Sequence, residues 1–423
     1  MILNVPPVRK LTGSIDLPAS KSYSIRAFFV AACGGRSRIL GASDCDDAKV
    51  ALRVARAFGA KVTAVPGGCL VNVPAFQKKK AMLAIDVGES GTSLRFVLPL
   101  LPQYAAKARV VGRGTLMGRP NYHLCAALRE QGLEIRGEGA NESVPISFSG
   151  GDIPCGRVEI DGSLSSQFVS ALMIAAPLAE NDTRLVMAGK TLVSQDYVIM
   201  TRQILERAGI RVTVKGRREF LIPGQQHFKG LKDFHVPSDY GLAAFFMAAA
   251  ALVASDITLK GSFDDALIQS DGAIIPLLTR MGLRMQRTGR SIRIKGPQDL
   301  KGGVFSLKSC PDLVPIMAVT AMFAKGVTRL KDIGHARVKE SDRISDLRQE
   351  LLKVGADIRE TKDELIIHPC STYTGGATLD PHHDHRLAMA FAVLGLKVGL
   401  KVRDVECTAK SYPGFVKSLK AIM

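Results

Sequence analysis

In six stretches of the chain nearly every position is apolar, and each stretch opens with a short polar motif. They begin near Lys21, Gly91, Ser165, Asp239, Asp312 and Asp384. A helix without a polar face belongs inside a domain, so these stretches predict six buried helices. Five amphipathic stretches end at a glycine suited to a helix C-cap: Gly59, Gly132, Gly209, Gly282 and Gly355. The glycine spacings of 73, 77, 73 and 73 residues indicate an internal repeat.

A two-strand pattern with β-branched residues follows each of the five glycines. The predicted hairpins span residues 61–73, 134–148, 211–222, 284–294 and 357–367. The sixth unit has no such pattern after its last helix, and the strand-like residues 1–19 could supply it. We therefore expect an α/β protein with two domains of three units each. One domain comprises residues 20–237, and the other comprises residues 1–19 together with residues 238–423.

Composition fits a globular protein of this size. The 423 residues are 46% hydrophobic and 23% charged, which favours two domains over one. Residues 1–11 contain no apolar signal-peptide core, and the longest uncharged apolar run, 240–255, is shorter than the roughly 18 residues of a membrane span. The eight cysteines form no Cys-x-x-Cys pair, as expected for reduced thiols. We therefore expect a cytoplasmic protein without a membrane segment, and a monomer.

The formal net charge of +18 predicts anionic partners. These could be nucleic acid, an acidic membrane surface or small phosphorylated metabolites. The basic residues are dispersed, with one tight run at 78–80, and the chain has no tryptophan for stacking on bases. Small anionic substrates are therefore favoured over nucleic acid. A basic nucleic-acid-binding protein stays an alternative, which salt-dependent binding to DNA would reveal.

Polar and basic residues cluster where the buried helices begin. The first N–H groups of a helix are unpaired and its N-terminus is positive, so such starts suit anions. The clusters are Ser20-Lys21-Ser22 with Arg26, the loop 88–92 with Arg95, and Ser165-Ser166-Gln167, with Ser194 and Tyr197 following. Ordinary helix caps and solvated helix starts explain each cluster singly, and capping alone also explains Asp239, Asp312 and Asp384.

The segment RVKESDR, residues 337–343, is the strongest single motif. Its Lys339, Glu340 and Arg343 are spaced for one face of a helical turn, although a surface salt-bridge cluster has the same spacing. Asp312 and the motif Asp384-His385-Arg386 add carboxylates and cations in the same predicted domain. Carboxylates among cations can move protons, which makes Asp312 and Glu340 acid–base candidates.

No cofactor or metal is expected from the motifs. The segment 189–191 would need a glycine at Arg184 to form a phosphate loop. His382, His383 and His385, with Asp380 and Asp384, are too closely spaced to match usual metal-ligand patterns.

Together, RVKESDR, the run DHRLAMA at 384–390 and the run SSQF at 165–168 resemble the 5-enolpyruvylshikimate-3-phosphate synthase family. The resemblance extends over residues 17–415. It implies two domains, each of three βαβαββ units, with the active site in a cleft between them. It also implies transfer of the enolpyruvyl group of phosphoenolpyruvate to the 5-hydroxyl of 3-phosphoshikimate, through a tetrahedral intermediate that loses phosphate, with no cofactor.

The resemblance also implies residue roles. Asp312 would accept the proton of the 5-hydroxyl, and Glu340 with Lys21 would protonate and deprotonate the methylene carbon. The residues matching phosphoshikimate ligands are Lys21, Ser22, Arg26, Ser165, Ser166, Gln167, Ser194, Tyr197, Asp312, His335 and Lys339. Those matching phosphoenolpyruvate ligands are Lys21, Gly91, Arg119, Gln167, Arg343, Arg386 and Lys410.

The chain departs from the family pattern at two positions. Glu89 and His335 stand where many members carry Asn. For Glu89 we consider two arrangements: it caps the helix that begins near Gly91, or it forms an ion pair with a nearby cation such as Arg95. The cap is favoured, because residues 90–92 can then still present backbone N–H groups to the donor.

The nearest rival is the UDP-N-acetylglucosamine enolpyruvyl transferase family, which uses the same donor. Its loop cysteine should precede the match to Arg119, yet no cysteine occurs between Cys69 and Cys125. Its Lys-Asn pair near the start is Lys21-Ser22 here. An RNA 3′-phosphate cyclase, which shares the repeat, would need a nucleotide site that the sequence does not offer.

Overall fold

A computed structural model describes residues 1–74, 79–189 and 193–423. The chain divides into two compact units, Ala19–Val236 and Met1–Pro18 with Pro237–Met423. Each boundary falls one residue before the position expected from the repeat. Parts of the basic run 78–80 and of the glycine segment 189–191 lie outside the described residues.

The helices and strands alternate along the whole chain. The helices are α1 Lys21–Ala32, α2 Asp46–Ala57, α3 Gly91–Val97, α4 Leu101–Tyr104, α5 Tyr122–Glu130, α6 Ser166–Ala175, α7 Gln195–Arg207, α8 Tyr240–Leu252, α9 Ile274–Arg280, α10 Val314–Ala321, α11 Ser345–Leu352, α12 His385–Val398 and α13 Phe415–Ile422. The strands are β1 Leu3–Val5, β2 Leu11–Asp16, β3 Arg36–Leu40, β4 Lys61–Val65, β5 Gly68–Asn72, β6 Lys80–Asp86, β7 Ala105–Val111, β8 Glu134–Glu138, β9 Ser143–Gly150, β10 Gly156–Asp161, β11 Thr183–Ala188, β12 Thr213–Lys215, β13 Glu219–Ile222, β14 Phe234–His235, β15 Ser255–Lys260, β16 Gln286–Arg287, β17 Ser291–Gly296, β18 Val304–Ser306, β19 Thr328–Lys331, β20 Asp357–Glu360, β21 Glu364–His368, β22 Thr378–Leu379 and β23 Leu400–Val402.

Five of the six sheets in the described residues have the same four-stranded plan. In the sheet β6-β7-β9-β8, β6 and β7 are parallel neighbours, and the antiparallel hairpin β8–β9 joins through β9. The same order recurs in β10-β11-β13-β12 and β18-β19-β21-β20. Buried helices connect the parallel strands of these three sheets, because parallel neighbours need a crossover connection. The predicted α/β repeat of βαβαββ units is confirmed.

At each point where the chain passes from one compact unit to the other, the strand before the crossing pairs with a strand of the unit that it leaves. The strand β2 precedes α1 but pairs in parallel with β15, while β14 precedes α8 but pairs in parallel with β3. The prediction for residues 1–19 needs correction here. Only β1 joins the sheet of the last repeat, antiparallel to β23, because β2 completes the sheet of β15 instead.

The predicted core helices are buried on all sides. Every residue of α8 and of α10 is buried, and α12 is buried from His385 to Leu396. The five repeat glycines have positive φ angles between 80° and 106°, which confirms their place beyond helix ends. Of the helices in the described ranges, none combines the length and apolar character that a membrane crossing requires.

One close contact between sheet and helix gives a test of this packing. A Cβ added at Gly296 in β17 would overlap the carbonyl oxygen of Ala250 in α8. We expect Gly296→Ala to lower the free energy of unfolding by about 1–3 kcal/mol, because backbone rather than a mobile side chain must shift. Urea denaturation measures the change. Gly289→Ala is the matched control, since no atom lies within 4 Å of its added Cβ; equal effects of the two variants would contradict the packing.

Candidate active site

The start of α1 presents a paired lysine. The hydroxyl of the N-cap residue Ser20 accepts from the Tyr23 N–H. The next residue, Lys21, has its Nζ 3.3 Å from Oδ2 of Asp47, a buried residue of α2. The helix N-terminus and the lysine are both positive, so this end of α1 favours an anion.

Arg26, one turn further along α1, is buried among neutral acceptors. Its Nε donates to Oγ1 of Thr201 at 2.9 Å, and its two terminal nitrogens donate to the carbonyls of Ser22 and Tyr197, each at 3.0 Å. Burial lowers the pKa of Arg26 to about 10. A buried guanidinium that bonds only neutral groups among the described residues suits an anionic ligand.

The predicted polar residues of α6 are joined to α3. Ser165 is the N-cap and its hydroxyl accepts from the Gln167 N–H at 3.2 Å, while Ser166 is the buried first residue. The Gln167 side chain donates to Oγ1 of Thr92 at 3.0 Å and accepts from Arg95 at 3.2 Å. These two bonds fix which way the Gln167 amide points.

Ser194 and Tyr197 stand at the start of α7. Ser194 is at the N-cap position with a left-handed backbone, φ 54°. Its hydroxyl oxygen is buried and has no hydrogen-bond partner in the described ranges. The Tyr197 ring lies 5.6 Å from the Arg26 guanidinium carbon, so Tyr197 borders this cation.

Gly91 and Arg119 come together at the start of α3. The hydroxyl of Ser90 caps this helix by accepting from the Ser93 N–H. A Cβ at Gly91 would lie 3.1 Å from a terminal nitrogen of Arg119, so the arginine side chain lies against the glycine. Arg95 supports the same loop by donating to Asn121 Oδ1 at 2.8 Å and to the Pro120 carbonyl at 3.0 Å.

In the other unit, one buried arginine bonds three carboxylates. Arg343 donates from Nε to Asp384 at 2.7 Å, from Nη1 to Asp312 at 2.6 Å and from Nη2 to Glu340 at 2.8 Å. Burial by itself would lower the pKa of Arg343, but Asp384, Asp312 and Glu340 raise it well above its usual value. The two predicted acid–base residues therefore share one permanently charged partner.

Arg386 and Lys410 complete this charged group. Arg386 donates to the Gly241 carbonyl at 2.8 Å and to Oδ2 of Asp312 at 3.1 Å, and it lies 3.6 Å from Oδ2 of Asp271. The Nζ of Lys410 is 3.8 Å from Oε1 of Glu340. Three cations thus converge on the two candidate carboxylates.

The segment around Lys339 differs from its prediction. Gly334–Val338 is a 3₁₀ turn and α11 begins only at Ser345, so Lys339, Glu340 and Arg343 do not lie on an α-helical turn. Asp342 is the physical reason, because its Oδ1 accepts from the N–H groups of Ile344 and Ser345 and starts the helix there. Glu340 and Arg343 still form an ion pair.

Asp312 is likewise not the N-cap that its position alone suggests. It lies inside the 3₁₀ turn Pro311–Leu313, and its carboxylate is directed to Arg343 and Arg386. Asp239 and Asp384 do cap their helices. Ion pairing with two buried guanidinium groups is stronger than a cap bond, which accounts for the difference.

His335 lies buried in the 3₁₀ turn before Lys339. Its Nε2 is buried and has no hydrogen-bond partner within the described residues. Burial, followed by the charge of Lys339, lowers the pKa of His335 to about 3. The imidazole is therefore neutral near pH 7, and it can present a hydrogen-bonding group as the more common Asn does.

The neighbouring histidines lie near different carboxylates. His382 lies 3.4 Å from Glu350, His383 lies 2.5 Å from Asp404, and His385 lies 3.9 Å from Asp384. The described residues contain no group of three or more His, Cys, Asp or Glu side chains placed to hold a metal ion.

Glu89 does not take the favoured role of capping α3. Ser90 caps α3, while Arg95 donates to Asn121, Pro120 and Gln167. The Glu89 carboxylate instead accepts from Thr115, at 3.3 Å from the backbone N–H and 3.0 Å from the hydroxyl. The expected helix cap was therefore wrong, because the serine next to it has the shorter reach that a cap requires.

Three supporting residues were missed by the sequence analysis: Asp47, Thr201 and Asp271. Each lies on a different element from the cation it contacts and is remote from it in sequence, so no local spacing signals the pair. Asp47 follows Asp46 in the first turn of α2, so the sequence alone suggests that it only stabilises the positive N-terminus of that helix. Asp271 lies in a short polar run before α9 and reads as a cap in the same way.

Comparison with known proteins identifies the family of this chain. The family model for EPSP synthase (3-phosphoshikimate 1-carboxyvinyltransferase) matches residues 5–419. The 3-phosphoshikimate 1-carboxyvinyltransferase of Vibrio atlanticus is 33% identical, and that of Methanosphaera stadtmanae is 34% identical. The alignments cover 99% and 100% of this chain, respectively, and 99% of each relative.

Solved structures show the same architecture. An EPSP synthase from Acinetobacter baumannii superposes with a TM-score of 0.78 at 26% identity, covering 100% of this chain and 98% of that one. The enolpyruvyl transferase NikO from Streptomyces tendae superposes with a TM-score of 0.79, covering 100% of this chain and 97% of that one, and at 17% identity it shows the fold alone. The predicted family is confirmed: the chain belongs to the EPSP synthase (3-phosphoshikimate 1-carboxyvinyltransferase) family, whose enzymes transfer an enolpyruvyl group from phosphoenolpyruvate to 3-phosphoshikimate in the shikimate pathway of aromatic amino acid synthesis.

Proposed function

We propose that Asp312 is the base for the 5-hydroxyl of 3-phosphoshikimate, and that Glu340 and Lys21 transfer the proton at the methylene carbon of phosphoenolpyruvate. The observation that carries this proposal is the shared contact with Arg343. One rigid guanidinium fixes both carboxylates at 2.6 and 2.8 Å, so the two proton-transfer groups keep a constant separation.

The proposed reaction has two steps. In the addition, the 5-hydroxyl oxygen bonds to C2 of phosphoenolpyruvate as Asp312 takes its proton, and C3 receives a proton to become a methyl group. In the elimination, the C2–O bond to phosphate breaks and C3 loses a proton, which restores the double bond. C3 gains one proton and later loses one, the proton taken by Asp312 passes to solvent or to the departing phosphate, and inorganic phosphate carries away the electron pair of the broken C2–O bond.

For 3-phosphoshikimate, we propose binding by Arg26 and by the polar groups near it. Arg26 bonds neutral acceptors, and Ser194 at the start of α7 has a buried hydroxyl without a hydrogen-bond partner among the described residues. Guanidinium groups bind carboxylate and phosphate through paired bonds. The further proposed contacts are Lys21, Ser22, Ser165, Ser166, Gln167, Tyr197, His335 and Lys339.

For phosphoenolpyruvate, we propose binding by Lys21, Gly91, Arg119, Gln167, Arg386 and Lys410. The start of α3 offers backbone N–H groups beside Arg119, which suits a phosphate or carboxylate. Arg343 also matches a residue that binds phosphoenolpyruvate in the family, but its nitrogens already bond three carboxylates. We therefore give Arg343 a positioning role toward Asp312 and Glu340. The net charge of +18 would attract both anions.

We expect Asp312→Asn to reduce kcat by about 10²-fold or more, with both KM values changed little, because the amide keeps the shape but accepts no proton. Steady-state kinetics with phosphate release as the readout measure this. Asp271→Asn is the matched control, since Asp271 contacts the same Arg386 without a proposed proton transfer. An Asp312→Asn variant with unaltered kcat would remove Asp312 from its role.

Arg386→Ala and Arg26→Ala should separate the two substrates. Losing a charge-assisted contact costs about 1.5–3 kcal/mol, or roughly 10- to 100-fold in KM. We expect Arg386→Ala to raise the KM for phosphoenolpyruvate and Arg26→Ala to raise that for 3-phosphoshikimate. Each variant is the control for the other, and melting temperatures show whether both remain folded. The assignment fails if both variants change the same KM.

His335 gives the protein a predictable acid sensitivity. Its pKa is about 3 when folded and about 6.5 when exposed. Between these values the unfolded chain binds more protons, so stability present above pH 6.5 is lost progressively as the pH falls toward 3. We expect His335→Asn to lose less melting temperature than the parent between pH 7.5 and 5.5. His383→Asn, at an exposed histidine, should behave like the parent; identical pH dependence of all three would refute this.

A further inference from the structure

Two loops of the unit Ala19–Val236 are hydrogen-bonded to each other, and they adjoin or contain Gly91 and Arg119, which are proposed to bind phosphoenolpyruvate. One loop, residues 87–90, precedes α3 and Gly91. The other, residues 112–120, follows β7 and contains Arg119. The Arg113 N–H donates to the Gly88 carbonyl at 2.8 Å, and the Arg113 side chain donates to Asp86 at 3.1 Å.

Glu89 adds the side-chain part of this connection. The half-buried carboxylate accepts from both the N–H and the hydroxyl of Thr115 through a single oxygen, Oε2. Its other oxygen, Oε1, lies against Gly114, where an added Cβ would overlap the carboxylate. Gly114 has a φ of 57°, so a side chain there would be strained as well. The loop is therefore shaped to receive an acidic side chain.

The turn that Glu89 holds leads directly to Arg119. Leu116 is buried, and its carbonyl accepts from the Arg119 N–H at 3.3 Å. Three residues thus separate the Glu89 contact at Thr115 from Arg119, with Leu116 as an anchor between them. The guanidinium at the end of this turn lies against Gly91, two residues beyond Glu89.

We infer that Glu89 is a positioning residue for phosphoenolpyruvate, which fixes the 112–120 loop so that Arg119 stays over Gly91. Its carboxylate bonds Thr115 of that loop through Oε2. An acceptor with two lone pairs can take both Thr115 donors, which explains how a glutamate functions where many family members carry Asn. This inference rests on the proposal that Gly91 and Arg119 bind phosphoenolpyruvate.

The test compares Glu89→Ala, Glu89→Gln and Thr115→Val in the full-length enzyme, with Glu130→Ala as control. Glu130 is an exposed carboxylate of α5 in the same unit. We expect Glu89→Ala to raise the KM for phosphoenolpyruvate about 3- to 10-fold, with kcat and the KM for 3-phosphoshikimate within about twofold. The amide oxygen of Glu89→Gln can still accept from Thr115, so this variant should restore a KM near the parent value.

A double variant shows whether the two residues act together. If Glu89 acts through Thr115, Glu89→Ala with Thr115→Val should raise the KM no further than Glu89→Ala alone. An unchanged KM in Glu89→Ala overturns the inference, and so does a several-fold lower KM in Glu89→Gln, which would mean that the charge opposes the donor. Arg119→Ala distinguishes failure of the Glu89 inference from failure of the proposed phosphoenolpyruvate site. If Arg119→Ala also leaves the KM for phosphoenolpyruvate unchanged, the proposed site is wrong. If Arg119→Ala raises this KM and Glu89→Ala does not, only the inference about Glu89 is wrong.

Discussion

The buried charge of Arg343 is the constraint around which the candidate acid–base residues of the unit Met1–Pro18 with Pro237–Met423 are arranged. A guanidinium in the interior is costly unless carboxylates pair with it, and leaving one such partner out is strongly destabilising. Arg343 therefore draws Asp384 from the start of α12, Asp312 from the turn before α10, and Glu340 from its own segment. Pairing this one cation assembles the candidate acid–base residues.

The two buried arginines of the proposed site show how partners decide what a cation can do. Both Arg26 and Arg343 are almost fully buried. Burial lowers the pKa of Arg26 to about 10 because its acceptors are neutral, whereas three carboxylates raise that of Arg343 well above its usual value. Arg26 is thus suited to an incoming anion, and Arg343 to holding groups that are already present.

The repeat places capped helix starts next to several of the proposed binding residues. Ser20, Ser90 and Ser165 each accept a backbone N–H bond at the start of a buried helix, and Asp239 and Asp384 do the same in the other unit. The residues after each cap can then vary without loss of the helix. Lys21, Gly91 and Gln167 occupy such positions, so one architectural element recurs with different chemistry at each copy.

Much of the fold follows from the sequence alone, because burial periodicity and glycine C-caps are local. The six core helices, the five hairpins and the domain boundaries to within one residue could be read from apolar spacing and from glycines such as Gly59 and Gly355. The motifs likewise marked Asp312, Glu340 and Arg343. Tertiary structure alone decided which strands pair across the crossovers, since β2 and β15 are more than two hundred residues apart. It also decided that Asp312 pairs with arginines instead of capping a helix, that Asp271 reaches Arg386, and that Glu89 bonds Thr115. These contacts join residues distant in sequence, and the energy of a buried charge depends on neighbours that no local pattern contains.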